Sequence, residues 1–438
     1  MPLPDLIEIV PLEGPVRARI TVPGSKSITN RALILAAQAQ GQVKLTGALW
    51  SEDTQIMTEA LKRLGFGIGV EPDAEEICNR TITVKGLGGK IPNGGTAQKP
   101  LELFVGNAGT AARFLAAVVC LGDGFYRFSG APRMHERPQG ALFMALRELG
   151  YRIEPDHWND RLPALIQGSG PASGAKCNVS IEKSSQFASA LLLCARAGGW
   201  RVTVAGENAE ESAYVAMTSK MTEVFPHQGG TFQIEPDASS GSYFWAAGTL
   251  SAAPNQAELE PAHLVTVANW PDSKMQIDAR FPTQMSAAGS ASAGPISRAR
   301  DLGDSIMTAI VMAPFYNRPV KFVDLGRLRL QETERVQALR TELEKCGAKV
   351  IEESDTLTVY PSKLHGAEIE TYNDHRMAMC FAVLGLKVPG IKIKNPLCVK
   401  KTFPNFFQKL AAPPPRGLGV TILGATGRDL EFDDLFAE

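Results

Sequence analysis

The sequence predicts an α/β fold, with a length that suits two or three domains, or two large ones, and three observations predict that fold class. Short β-like runs alternate with amphipathic helical stretches along all 438 residues. A helix–turn–strand unit recurs, with similar helix ends at 60–65 (AlaLeuLysArgLeuGly), 145–150 (AlaLeuArgGluLeuGly) and 342–347 (GluLeuGluLysCysGly). A second set of helices is apolar nearly all round, the signature of a helix buried on every face. With 44% hydrophobic and 21% charged residues, the chain has ample core material and none of the bias of disordered, collagen-like or coiled-coil sequences.

The elements follow in order. Val43 to Leu45 reads as a strand. Ser51 opens a helix through Leu64, with Ile56, Met57, Ala60, Leu61 and Leu64 at helical spacing. Gly65 ends it, and Phe66, Ile68 and Val70 alternate as a strand. The unit returns at Ala141 to Gly150, followed by Tyr151 and Ile153, and at Glu332 to Gly347, followed by Val350 and Ile351. The apolar helices are Thr110 to Leu121, Ser185 to Ala197, Ser239 to Leu250, Asp304 to Phe315 and Asp374 to Leu386. Each begins on Asn, Asp, Ser or Thr, and capping alone explains any one of them. So many such starts in one chain point to helix N-termini gathered around an anion. Met285 to Ile296, rich in Ala, Gly and Ser, reads as a flexible loop. The partly acidic tail from Arg416 to Glu438 reads as weakly packed or mobile.

Several function classes are excluded. The 45 Lys plus Arg against 46 Asp plus Glu leave a net charge of -1, so no broad basic surface draws nucleic acid or membrane. An anionic ligand must be held by a local cluster of cations. No apolar run is long enough to span a bilayer, and Met1 to Val10 carries Asp5 and Glu8 without a basic leader, so a cytoplasmic protein is expected. The seven cysteines form no CxxC pair and read as buried reduced thiols, not a zinc site or a disulfide framework.

The candidate chemistry lies in short motifs. ProGlySerLysSerIleThrAsnArg, 23–31, puts Lys26 and Arg31 near a helix start without P-loop spacing. GlyAsnAlaGlyThrAlaAlaArg, 106–113, offers close backbone approach at Gly109, with Asn107 and Thr110 able to cap. ProArgMetHisGluArgPro, 132–138, holds Arg133 and Arg137 in a stretch too Pro-rich for a helix, and two guanidiniums there suit a phosphate or carboxylate. Ser184, Ser185 and Gln186 open one buried helix, and Asp304 heads another as a low-pKa cap. GlnGluThrGluArg, 331–335, sets Glu332 and Arg335 on neighbouring helix positions. ThrTyrAsnAspHisArgMetAlaMet, 371–379, and LysLysThrPheProAsn, 400–405, complete the set. His135 and His375 fit a structural role as well as a direct one.

In this order, and over roughly residues 5–410, these motifs resemble the 5-enolpyruvylshikimate-3-phosphate synthase family of enolpyruvyl transferases. AsnAspHisArgMetAla is the sharpest member of the set. The resemblance implies transfer of the enolpyruvyl group of phosphoenolpyruvate to the 5-hydroxyl of shikimate 3-phosphate, releasing phosphate, with no cofactor and no metal. It implies that Lys26, Gly109, Arg137, Arg335, Arg376 and Lys401 hold phosphoenolpyruvate. Ser27, Arg31, Ser184, Ser185, Gln186, Tyr214, Asp304 and Gln331 would hold shikimate 3-phosphate. Asp304 would take the hydroxyl proton, and Glu332 with Lys26 would handle protons at the enolpyruvyl carbons. It further implies two domains, each of three βαβαββ units around buried helices, closing on substrate: 23–235 on the shikimate 3-phosphate side, and 1–22 with 236–438, where 416–438 is an extension. Those two small molecules are the expected partners of a monomer, without nucleic acid or membrane.

The chain departs from the family pattern in places. Gln331 stands where Lys is usual and Arg327 where Asn is common. Glu211 falls near the place of a substrate Ser, leaving Ser212 without a clear role. Phe114 replaces a common Pro after Arg113. Gly109 leaves room for glyphosate, a competitor of phosphoenolpyruvate, and Phe114 is expected to alter its affinity. Two other readings stand beside this one: an enolpyruvyl transferase for a different hydroxyl acceptor, and an inactive phosphometabolite-binding relative. UDP-N-acetylglucosamine enolpyruvyl transferases need a loop Cys near 132–138, where this chain has Arg and His.

Overall fold

The structure is a computed structural model that describes residues 3–157, 159–206, 209–251, 264–288 and 294–437, with backbone only at 209–212. The chain divides into two compact units, Met1–Pro23 with Pro236–Glu438, and Gly24–Glu235.

In the continuous unit, Leu101–Phe104 runs parallel to Asp123–Ser129, which pairs antiparallel with Ala164–Ser169 and that strand with Arg152–Pro155. Gly230–Gln233, Gln42–Leu49, Asn79–Lys85 and Ile68–Pro72 repeat the pattern, with Val43 facing both Gly230 and Val84. Lys176–Ser180 and Arg201–Ala205 form a parallel pair. The discontinuous unit uses the same plan. Ile296–Ser297 is parallel to Val320–Val323, followed by antiparallel Thr356–Val359 and Val350–Glu353. Glu368–Ile369 is parallel to Ile391–Lys394, followed by antiparallel Leu6–Ile9 and Ile422–Gly424. Ala18–Ile20 and Val265–Val267 are a parallel pair.

A parallel pair needs a crossover, and the apolar helices provide it. Gly109–Cys120 links the first pair and is buried at every residue. Ser185–Gly198, Ile306–Met312 and His375–Gly385 do the same for theirs. Inside the continuous unit Lys26–Gln38, Gly109–Cys120 and Ser185–Gly198 pack on one another. Inside the other, Ala238–Ser251, Ile306–Met312 and His375–Gly385 do likewise.

Four expectations need correction. The 132–138 stretch does form a helix, Pro132–Glu136: Pro132 sits in its first turn, where an N–H would lack an intrahelical partner anyway, and Pro138 forces Arg137 extended. The helix expected from Glu332 begins at Arg335, because the Glu334 carboxylate accepts the Gln337 N–H at 2.6 Å and caps it there. Of the expected loop, Met285 to Ala288 closes the helix Phe281–Ala288, and 289–293 lie outside the described residues. The tail is packed: Ile422–Gly424 pairs with Ile7–Ile9, and Val420, Ile422, Leu435 and Ala437 are buried, so its apolar residues outweigh its acidic ones.

Candidate active site

In the unit 24–235 the first turns of the buried helices touch. Asn30 Nδ2 donates to Thr110 Oγ1 at 3.0 Å, so that hydroxyl joins two helices instead of capping one. The N-cap of the helix Gly109–Cys120 is Ala108, which has no capping side chain. Arg31 is buried; its Nε donates to Thr218 Oγ1 at 2.8 Å, its Nη2 to Ser189 Oγ at 3.0 Å and its Nη1 to the Ser27 carbonyl at 2.9 Å. The guanidinium lies over the Phe114 ring, 5.2 Å from the centroid. Lys26 pairs with Asp53 at 3.2 Å. Arg137 Nη1 donates to the Asn107 carbonyl at 3.1 Å, and Arg113 Nη2 to the Pro138 carbonyl at 2.9 Å. Gly109 lies beneath both: a Cβ there would stand 2.6 Å from Arg113 Nη1 and 2.7 Å from Arg137 Nη2. Ser184 caps its helix, accepting the Gln186 N–H at 3.2 Å; Gln186 Oε1 receives Arg113 Nη1 at 3.5 Å, and Ser185 is buried beside them. Tyr214 lies on the helix Ala209–Val224, where its carbonyl accepts from Thr218. The side chains of Glu211 and Ser212 lie outside the described residues.

In the other unit the helix heads also meet, through Arg376. Its Nη2 pairs with Asp304 at 3.3 Å, its Nη1 donates to the Ser239 hydroxyl, and its N–H is capped by Asp374 at 2.9 Å. Asp374 is fully buried and also takes Arg335, Nε at 2.7 Å and Nη2 at 3.1 Å. Arg335 Nη2 further pairs with Glu332 at 2.9 Å, and Gln331 Oε1 accepts from Arg335 Nη1. Lys401 Nζ reaches the other Glu332 oxygen at 3.0 Å. The structure thus brings Asp304 and Arg376 together, and Glu332, Gln331, Arg335 and Lys401 into one network. Arg327 is buried on the turn Gly326–Leu330.

Asp304 is not the cap expected from its position. Asp278 Oδ1 accepts the Ser305 N–H at that helix head, 2.8 Å away, and Asp304 is left to its ion pairs. Burial alone would raise the Asp304 carboxyl, but the guanidiniums of Arg376, Arg298 and Arg335 outweigh it and hold the group well below the usual carboxylate range. The residue is therefore ionised at neutral pH, as a base must be. Glu332 lies between a guanidinium and an ammonium, one carboxylate oxygen on each.

Several of these residues escaped the sequence. Arg298, Asp278, Ser189 and Thr218 stand in no motif; the partners of the last three are remote in sequence, and Arg298 reaches Asp304 six residues on. Asp53 looks like any acid in a first helical turn. Asp374 was visible as an N-cap, but its bidentate hold on Arg335 was not. His135 is structural, its Nε2 accepting the Gly130 N–H at 3.1 Å. The cysteines are all buried thiols outside any disulfide; burial pushes the Cys177 thiol up to about 11 and those of Cys346, Cys380 and Cys398 up to about 12. Among the described residues, no three His, Cys, Asp or Glu gather as a metal site.

The family model described as EPSP synthase (3-phosphoshikimate 1-carboxyvinyltransferase) matches residues 11–410. The chain belongs to this family. It is 37% identical to a 3-phosphoshikimate 1-carboxyvinyltransferase of Trichormus variabilis, covering 92% of this chain and 98% of that one. It is 36% identical to one from Opitutus terrae, covering 94% and 98%. Two solved structures share the fold. An EPSP synthase from Acinetobacter baumannii superposes with a TM-score of 0.70 at 21% identity, over 95% of this chain and 99% of the other. The enolpyruvyl transferase NikO from Streptomyces tendae gives 0.65 at 16% identity, over 98% and 99%. The mixed α/β architecture is that of the enolpyruvyl transferases.

Proposed function

We propose that this chain is a 3-phosphoshikimate 1-carboxyvinyltransferase, joining phosphoenolpyruvate to the 5-hydroxyl of shikimate 3-phosphate with release of phosphate. The observation that carries the reading is the Asp304–Arg376 and Glu332–Lys401–Arg335 network, in a chain whose family is named for this reaction. Addition needs a base for the hydroxyl and an acid for the enolpyruvyl methylene; elimination needs the methyl proton removed and the phosphate bond broken. Asp304 accepts the hydroxyl proton as the oxygen bonds to the central carbon of phosphoenolpyruvate. Glu332, with Lys26, delivers a proton to the methylene and later removes one as phosphate departs. Lys26, Gly109, Arg137, Arg335, Arg376 and Lys401 serve phosphoenolpyruvate. Ser27, Arg31, Ser184, Ser185, Gln186, Tyr214 and Gln331 serve shikimate 3-phosphate, with 23–235 as the domain of that substrate. Charge neutralisation by fixed cations supplies much of the rate, since the low basicity of Asp304 leaves a large share to positioning. The reading makes the protein a cytoplasmic monomer that needs no cofactor. Among the described residues no helix is long and apolar enough to cross a membrane.

A phosphate-release assay with both substrates tests it; tight binding without turnover would overturn it. A different hydroxyl acceptor is the second reading, favoured by Gln331, whose amide oxygen is committed to Arg335 where the family usually has Lys. Phosphate release with another phosphorylated alcohol, and none with shikimate 3-phosphate, would establish that reading.

A further inference from the structure

Asp304 stands on a turn that another carboxyl holds. Asp278, on the turn Ile277–Arg280, is 5% exposed. Its Oδ1 accepts the Ser305 N–H at 2.8 Å. Its Oδ2 lies against Gly303, whose φ is +56°, and a Cβ there would stand 2.8 Å from that oxygen. Asp278 therefore grips the residues on both sides of Asp304. Arg298 and Arg376 take the two Asp304 oxygens, at 2.9 and 3.3 Å. Two guanidiniums on one carboxylate make a poor base. A neutral amide could accept the Ser305 N–H as well, so that hydrogen bond does not require a buried charge.

We propose that Asp278 is a positioning residue for the proton transfer: it fixes the Gly303–Ser305 turn and, when ionised, restores basicity to Asp304 by repulsion. This rests on Asp304 being the base of the proposed reaction. The charged groups facing Asp278 are Asp304, Arg376 from the helix His375–Gly385, and Asp237 just before Ala238–Ser251. Burial pushes Asp278 up to about 7, Asp304 and Asp237 add to the rise, and Arg376 and the Ser305 N–H oppose it. The helix Phe281–Ala288 brings no ionisable side chain. Arg280 on the same turn donates to the Arg300 carbonyl, and on Arg298–Leu302 Asp301 accepts the Ser297 N–H while Arg298 is on Asp304. Because the folded-state pKa lies above the ordinary value of about 4, the fold favours the protonated form, and stability falls as pH rises from there through about 7.

Asp278→Asn in the full chain keeps the acceptor and removes the charge. With phosphoenolpyruvate and shikimate 3-phosphate, wild-type kcat should rise through a limb near neutrality. The variant should lack the limb and turn over about tenfold more slowly at pH 8, with both KM values within about twofold. Its melting temperature should exceed that of the wild type at pH 8, the gap closing toward pH 5. In an Asp304→Asn background the same substitution should leave the residual kcat unchanged. A folded Asp278→Asn with wild-type kcat and pH limb, or a further tenfold loss in the Asp304→Asn background, would overturn the proposal. If the amide does not fold, Asp278→Ser carries the same readouts. If the wild type releases no phosphate, the proposed reaction fails instead, and the melting comparison still reads the buried charge.

Discussion

The helix heads of the two units are assembled alike and loaded differently. In residues 24–235, Arg31, Arg113 and Arg137 rest on hydroxyls, an amide and carbonyls, with the Lys26–Asp53 pair as a contrast. In the discontinuous unit, Arg298, Arg335, Arg376 and Lys401 rest on Asp304, Asp374 and Glu332. A cation on neutral acceptors keeps its charge for an incoming anion. A cation on a carboxylate gives up much of that charge and fixes the carboxylate in one state. The first arrangement suits holding phosphate and carboxylate groups; the second adds to its cations the fixed carboxylates that proton transfer needs.

The contrast can be broken most directly at the carboxylates. Asp304→Ala and Glu332→Gln should each lower kcat by about 10²–10⁴-fold while KM changes little, read by phosphate release. Near-normal turnover in both would remove the proton-handling role from that unit. Next in size, Asp374→Ala takes the bidentate partner from the buried Arg335, leaves Glu332 as its carboxylate, and should cost about 3 kcal/mol in urea denaturation. The same unit should respond to acid. Asp304 is held below its ordinary range, so its stabilisation is present above about pH 4 and is lost as pH falls further, opposite in sign to Asp278.

Smaller effects are expected in the other unit. Gly109→Ala puts a methyl against Arg113 and Arg137; displacing the Arg137 guanidinium should raise KM for phosphoenolpyruvate about tenfold, near 1.4 kcal/mol, and weaken glyphosate inhibition. An unchanged KM would mean that Arg137 does not face that substrate. Smallest, Phe114→Leu removes the ring beneath Arg31 while keeping the helix N–H, a contact worth about 0.5–2 kcal/mol, which should raise KM for shikimate 3-phosphate several-fold and alter the glyphosate inhibition constant. If neither constant moves, Phe114 is packing alone.

What the sequence revealed follows from how local each signal is. The helix Gly109–Cys120 is apolar on every face, and Asp374 and Ser184 mark helix starts, so those elements were legible to within a residue or two. Asp278 was not, because it acquires meaning only from Ser305, which tertiary packing brings to it, and Arg298 was not, because no motif marks its reach to Asp304 six residues on. The Pro132–Glu136 helix is hidden in the sequence because its prolines signal a break except at a first turn and just past an end, where they stand. The packing of the tail is hidden because its acidic residues mask the signal of Val420 and Ile422.

The sheet containing Leu6–Ile9 bears on the order in which the chain can fold. Leu6 faces Lys394 on one side, and Ile7 faces Gly424 on the other. A ribosome makes that strand before either of its neighbours. Gly24–Glu235 can therefore complete its sheets while Leu6–Ile9 still waits for Ile391–Lys394 and Ile422–Gly424. Until then they present an unpaired apolar strand, Leu-Ile-Glu-Ile, that needs shielding from other chains.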